Sequence, residues 1–276
     1  CSFQLKEIEM VFLTMLFAER ADYLLRKGKL MFFPTAALML IPAFMFMIRT
    51  ALAVTLVLAF FCALILSSDR VVSWGRRTLL IILAGIFVLT VFFTSTAIGN
   101  DIRQMWETRG SGQKANMEWR AIRGKMEGTL NQQFAKYAGA AVFAPMIFTL
   151  PFPTMSEVPG QTNQKMIHGG NFVKNILSYF TIMVLFVMLM SGKWRRHVLP
   201  LAIFVGYLVV LVFSNFAHSE RFHQPILPFT MLFAAYGISI MNEKKWIKKY
   251  FPYWCALMFV AALAWNWFKL AGRGLI

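Results

Sequence analysis

The residues best suited to chemistry sit in a short link, 217–224. It carries His218, Glu220, Arg221 and His223, four ionisable side chains in six positions, just before Pro225 opens an apolar run. Ionisable groups at a membrane boundary are costly to draw into lipid, so their concentration there calls for a function. A guanidinium such as Arg221 binds phosphate through paired N–H donors, and a nearby carboxylate can act as a base. The competing reading is a structural Arg221–Glu220 pair. His218, Glu220 and His223 are also metal-ligand types, but no other cluster has compatible spacing, and no metal is expected. A second reservoir is 98–172, with Asp101, Arg103, Arg109, Lys114, Glu118, Arg120, Arg123, Lys125, Glu127, Glu157, Lys165 and His168. An acidic group near several of these guanidinium groups could bind a phosphate and offer a base, and the competing reading for each charge is a solvated loop.

The elements that position these residues are apolar. The chain has 276 residues, 58% of them hydrophobic and only 14% charged. A soluble domain carries about a quarter charged residues, so the class expected is an integral membrane protein. Runs near the ~20 residues of a spanning helix recur along the sequence. They are Leu30–Ile48, Ala51–Leu66, Thr78–Ala97, Phe172–Met190, Val198–Phe216, Pro225–Met241 and Phe251–Leu270. Ile8–Leu25 is an eighth candidate, either a tilted span or an interfacial helix. Along it Glu19 and Asp22 can meet Arg20 and Arg26 at helical spacings of three and four. Only Arg49 and Thr50 separate two of the runs, which predicts a tight helical hairpin. The fold expected is therefore all-α, a polytopic bundle of seven or eight spans forming one transmembrane domain over 1–276.

Loop charge orients that bundle. The net charge of +16 (28 Lys and Arg, 12 Asp and Glu) would suggest nucleic acid in a soluble protein. Here the segments 20–29, 70–77, 193–196 and 244–249 hold 14 Lys and Arg, while the alternate short links hold only Arg49 and Arg221. By the positive-inside rule the basic links face the cytoplasm, and no nucleic-acid partner is expected. The 49–50 and 217–224 links then face outward. Parity also requires the apolar segment 137–150, which is short and holds Pro145, not to span. This leaves 98–172 as an outer-face loop region. Its basic residues do not oppose the assignment, because long loops translocate largely regardless of charge.

Several function classes are disfavoured. No phosphate-cradling Gly-rich loop, dinucleotide fingerprint or Gly-x-Ser-x-Gly elbow occurs, and no cofactor is expected. No charge lies in the middle of a strong span, which argues against an ion-coupled transporter. Cys62 and Cys255 lie inside apolar runs and are expected to be small buried hydrophobes. The first residue is Cys1 and no signal peptide is visible, so the chain is expected to begin in mid-protein.

Two stretches carry a resemblance. Leu5-Lys6-Glu7-Ile8-Glu9-Met10-Val11-Phe12-Leu13, with its basic end Arg26-Lys27-Gly28-Lys29, resembles the middle of bacterial membrane glycosyltransferases of the GT-C fold. There an outward Lys-Glu pair opens a helix that returns to the cytoplasm. Glu220-Arg221-Phe222-His223-Gln224-Pro225-Ile226-Leu227-Pro228-Phe229 resembles the outward Arg-aromatic, Pro-x-x-Pro element of family 39, the protein mannosyltransferase and aminoarabinose transferase branch. The resemblance implies a multi-pass enzyme of the bacterial inner membrane. It would move a sugar from a polyprenyl-phosphate donor to a cell-surface glycan or lipid. It implies a catalytic Asp in a loop preceding Cys1, with Lys6, Glu7 and Arg221 lining the pocket and Glu220 and His223 beside them. Surface-polysaccharide polymerases share the composition and the large outer loop, and a non-catalytic transporter or scaffold stays open as a third class.

Overall fold

The computed structural model describes residues 2–27, 32–68, 71–75, 77–78, 81–82, 146–153, 165–213 and 220–271. Among them the protein is all-helical, as composition predicts. It is a multi-pass membrane protein. The chain divides into two compact units, 1–72 with 143–276, and 73–142. The described part of the smaller unit is helical where Trp74 and Gly75 lie. There Thr78 donates to the Trp74 carbonyl at 3.1 Å. The span expected at 78–97 and the loop expected at 98–136 fall almost wholly outside the described residues.

Among the described residues the larger unit contains six principal helices. They are α1 (Ser2–Lys27), α2 (Phe32–Leu66), α3 (Lys165–Met190), α4 (Val198–Phe213), α5 (Leu227–Met241) and α6 (Lys245–Ala271). A one-turn helix, Glu220–His223, and a 3-10 turn, Gln224–Ile226, form a return turn leading into α5. Among the described residues three segments are long and apolar enough to cross a membrane: Thr35–Leu66, Asn171–Met190 and Gln224–Met241. Val198–Phe213 is a shorter apolar helix.

Segment Thr35–Leu66 has 32 residues. As one straight helix it would be far longer than the ~30 Å hydrocarbon layer at 1.5 Å per residue. It is broken at Arg49, whose backbone leaves the helical region (φ −154°, ψ 91°). Counted from Phe32, each side of Arg49 has 17 residues, the lower end of a single crossing, and the lone charge marks the junction in the sequence. Two helices start earlier than hydropathy suggests, α3 at Lys165 and α6 at Lys245. Polar residues continue a helix readily, so an apolar run defines the lipid-embedded stretch and not the helix.

Helix α2 packs against α1 and α4, whereas α3 packs against α5 and α6. Gly206 of α4 allows Thr55 of α2 to approach. Gly237 of α5 is tighter: a Cβ there would lie 2.7 Å from the Phe180 carbonyl oxygen and 2.8 Å from the Phe180 Cβ. Small residues give helices this close approach where lipid supplies no hydrophobic drive between them. Helices α3 and α5 run parallel, since Lys174 meets His223, Thr181 meets Thr230 and Phe180 meets Gly237. Thr14, Thr55, Ser178 and Thr230 donate to the carbonyl four residues back, which satisfies hydroxyls that have no water to bond.

Met47, Leu40, Phe44, Leu189 and Phe213 are exposed. Outward apolar side chains are what lipid contact requires. Cys62 shares that orientation: it is exposed, and Cys255 is half-exposed, contrary to the expected burial. Both occupy apolar runs, but run hydrophobicity does not distinguish the lipid face from the protein face. Along α1, Arg26 pairs with Asp22 at 2.8 Å as spacing predicts, whereas Arg20 pairs with its neighbour Glu19 at 2.9 Å.

Candidate functional site

The return turn 220–226 is the centre of a polar cluster at one end of the larger unit. Pro225 and Ile226 are buried, and α1 packs against Gln224–Ile226. Phe222 and His223 face different helices. The Arg49 guanidinium carbon stands 4.1 Å from the centre of the Phe222 ring, a cation–π contact. Arg49 Nη1 also donates to the Tyr207 hydroxyl at 3.2 Å. Tyr207 is buried in α4. Glu7 of α1 is close enough to interact electrostatically with the same hydroxyl. The break in α2 thus delivers one cation to the turn, α4 supplies a phenol, and α1 brings a carboxylate.

On the other side His223 Nδ1 lies 2.9 Å from Lys174 Nζ. Both residues are more than nine-tenths buried. A charged ammonium has donors only, and against one Nδ1 is the acceptor. Lys174 also donates to the Leu150 carbonyl. Burying an ammonium is tolerable only where acceptors replace its water, and these two do so.

Leu150 belongs to a buried segment, 146–153, which contains a cis Leu150–Pro151 bond. Its carbonyls are bound by surrounding helices. Ser178 donates to Phe148 at 2.5 Å and Asn266 to Pro153 at 3.0 Å. The Asn175 amide donates to Asn171 at 3.0 Å and to Thr149. The Asn175 carbonyl in turn accepts from Trp254 at 3.0 Å. Every non-helical carbonyl at this depth needs such a partner. The expected non-spanning segment 137–150 overlaps this region only at its end, and 137–145 fall outside the described residues.

The residues expected from sequence are distributed as follows. Glu7 and His223 lie in the cluster. Arg221 and Glu220 occupy the return turn by backbone position, and Lys6 occupies the first turns of α1 beside Glu7. The side chains of Lys6, Glu220 and Arg221 lie outside the described residues. So do His218, Glu157 and the charged residues of 101–127, and of Lys165 and His168 only the helical backbone is described. His223 directs Nδ1 at a lysine, which favours a hydrogen-bonding role over the metal-ligand alternative.

Sequence reasoning missed Lys174, Arg49, Tyr207 and Asn175. Two signals were present. Arg49 is the sole charge between two long apolar runs, and Lys174 lies inside an apolar run, two residues after Phe172. A lysine there has to find acceptors or reach the boundary.

A family model for the Alg9-like mannosyltransferase family matches residues 165–272. The matched range contains Lys174, the return turn and Asn266, while Glu7 and Arg49 lie outside it. No curated protein and no solved structure matches. The match supports a membrane glycosyltransferase of the GT-C type, an enzyme, and does not single out family 39.

Proposed function

We propose that this protein transfers a sugar of the mannose class from a polyprenyl-phosphate donor to a cell-surface glycan or lipid, at the outer face of a bacterial inner membrane. The observation that carries the reading is the return turn. The stretch that resembles the outward Arg-aromatic element of GT-C enzymes lies within the matched range. It also joins a cation, a phenol and a buried Lys–His pair at one end of the bundle. The finer placement in family 39 rests on the resemblance of 5–13 and 220–229 alone.

In this mechanism the acceptor hydroxyl is deprotonated by a carboxylate as it attacks the anomeric carbon. The bond from that carbon to the phosphate oxygen breaks, and the polyprenyl phosphate departs with the electron pair. Negative charge grows on the leaving phosphate, and a preorganised cation in a water-poor site stabilises that growth most. Arg221 is assigned this task. The resemblance assigns Glu7 and Lys6 to the donor pocket, and Glu220 and His223 stand beside the arginine in sequence.

The test is transfer of labelled mannose from polyprenyl-phosphate mannose in membranes, with wild type beside Arg221→Ala. Loss of about a hundredfold or more is expected, with insertion unchanged, the size seen when one oxyanion donor is removed. Wild-type transfer by Arg221→Ala would remove Arg221 from the donor site. No transfer from any polyprenyl-phosphate sugar by the wild type would remove the activity itself.

A further inference from the structure

Arg49 is held in a way that a structural arginine does not require. Its guanidinium rests on the Phe222 ring with one face and gives one N–H to Tyr207, at 4.1 Å and 3.2 Å. A guanidinium has five N–H donors and keeps its charge at every physiological pH. Among the described residues no carboxylate lies within ion-pair distance of it; the ion pairs found there are Arg20–Glu19 and Arg26–Asp22. Glu7 acts on the Tyr207 hydroxyl, not through an ion pair with Arg49. Arg49 is half-buried, so its charge is only partly hydrated.

Both contacts orient the group without neutralising it. An aromatic face fixes the plane of the guanidinium, and a neutral phenol fixes its rotation. The edge that remains is a rigid fork of donors, the geometry that pairs with the oxygens of a phosphate. The chain invests a helix break in placing it: α2 is interrupted at Arg49 itself. The residue it stacks on, Phe222, directly follows Arg221.

We propose that Arg49 is a phosphate-binding residue of the donor site, gripping the polyprenyl phosphate with the free edge of a guanidinium that Phe222 and Tyr207 hold in place. This inference rests on the donor-site reading above and adds a ligand from a different helix, outside the range the family model matches. Arg49 binds in the ground state and as charge develops, so its loss is read first in donor affinity.

The experiment uses the intact protein in neutral detergent, as wild type, Arg49→Gln and Arg49→Lys. Two quantities are measured: kcat and KM for polyprenyl-phosphate mannose, and thermal stabilisation by farnesyl phosphate, with farnesol, inorganic phosphate and phosphatidylglycerol as comparison ligands. Arg49→Gln is expected to raise donor KM about tenfold or more, the worth of one charge-assisted hydrogen-bond pair, and to lose the stabilisation by farnesyl phosphate. Arg49→Lys keeps the charge but not the fork and should fall between. Farnesol should stabilise none of them. An unchanged donor KM in Arg49→Gln overturns the inference, as does a fall in kcat and thermal stability with no shift in KM. If Arg49→Gln does not insert, an unchanged KM in Arg49→Lys overturns it, and a raised KM with intact folding upholds it. Equal stabilisation by farnesyl phosphate and phosphatidylglycerol overturns the donor assignment in favour of a lipid-headgroup site. If the wild type transfers nothing, yet farnesyl phosphate stabilises it and not Arg49→Gln, the phosphate site stands and the glycosyltransferase reading falls.

Discussion

The two ends of the helical unit use the same residue types for opposite purposes. At the end bearing the return turn, Lys174 and His223 are buried, Arg49 is half-buried, and each has a defined partner on another element. At the other end Asp22 and Arg26 form an ion pair about half exposed to solvent, and the 3-10 turn Lys193–Arg196 has no buried residue. The Ser68 amide donates to the Arg195 carbonyl at 3.0 Å, so that end is tied by backbone while Lys193, Arg195 and Arg196 are exposed to water and lipid headgroups. Helix α1 reaches both ends, with Glu7 near one and Asp22 and Arg26 near the other. Charge number alone would rank the basic end as the functional one. Burial and partnering reverse that ranking: dispersed exposed cations suit orientation in a membrane, whereas the few desolvated ones are those to which the proposed donor site assigns ligand recognition.

The strongest way to break the contrast is through the helix pair that holds the buried end in register. Gly237→Leu would drive a side chain into the Phe180 backbone, already 2.7 Å from an added Cβ. Overpacking of this kind costs about 1–3 kcal/mol, and backbone on the far side cannot yield as a side chain would, so the upper end or beyond is expected. Thermal unfolding in detergent should show the loss, and transfer should vanish with it because α3 and α5 carry Lys174 and the return turn. Next is Lys174→Met. It removes the donor shared by the Leu150 carbonyl and His223 Nδ1 and leaves both buried without it, about 2 kcal/mol. A melting temperature equal to wild type would show that the 146–153 segment does not depend on this lysine.

Legibility in the sequence follows the same division. The helices were readable because lipid demands long apolar runs, and the junction at Arg49 because a lone charge interrupts one. His223 was singled out by type and position, and Glu7 by the resemblance of 5–13. Lys174 was not, since composition reads a span as a whole and cannot show which of its residues turns toward a neighbouring carbonyl. In sequence the 146–153 segment is the end of the apolar piece 137–150 and a short stretch of the 98–172 region. Its carbonyls depend on donors contributed from Lys174, Ser178 and Asn266, none adjacent in sequence. Exposure of Cys62 was hidden for the converse reason, that a residue facing lipid and one facing protein look alike in hydropathy.

At the basic end the expected effects are smaller and depend on pH. His197 follows the Lys193–Arg196 turn. Burial lowers its pKa below the ordinary 6.5, and Arg26 adds to that, with Arg196 acting likewise and Asp22 opposing. The folded state therefore prefers the neutral imidazole. Its contribution is fully present above the ordinary value and is lost as pH falls through the lowered one. Stability measured from pH 7.5 down to 5 should decline on this account, and His197→Gln should flatten part of that decline. An unaltered acid limb in the variant would assign the decline to other groups.

The smallest effect belongs to the Asp22–Arg26 pair itself. Its geometry is good, with Arg26 Nε at 2.8 Å from both carboxylate oxygens. Geometry is not energy here, because both side chains are about half exposed and an i,i+4 pair on a helix contributes roughly 0.3–0.5 kcal/mol. Asp22→Asn should therefore leave the melting temperature within about a degree or two of wild type. It should also lower the His197 pKa further, since the one neighbouring charge that opposes the cations would be gone. Titration of His197 separates these two consequences. A large stability loss from Asp22→Asn would mean that the basic end is built like the buried one, and the contrast between them would fail.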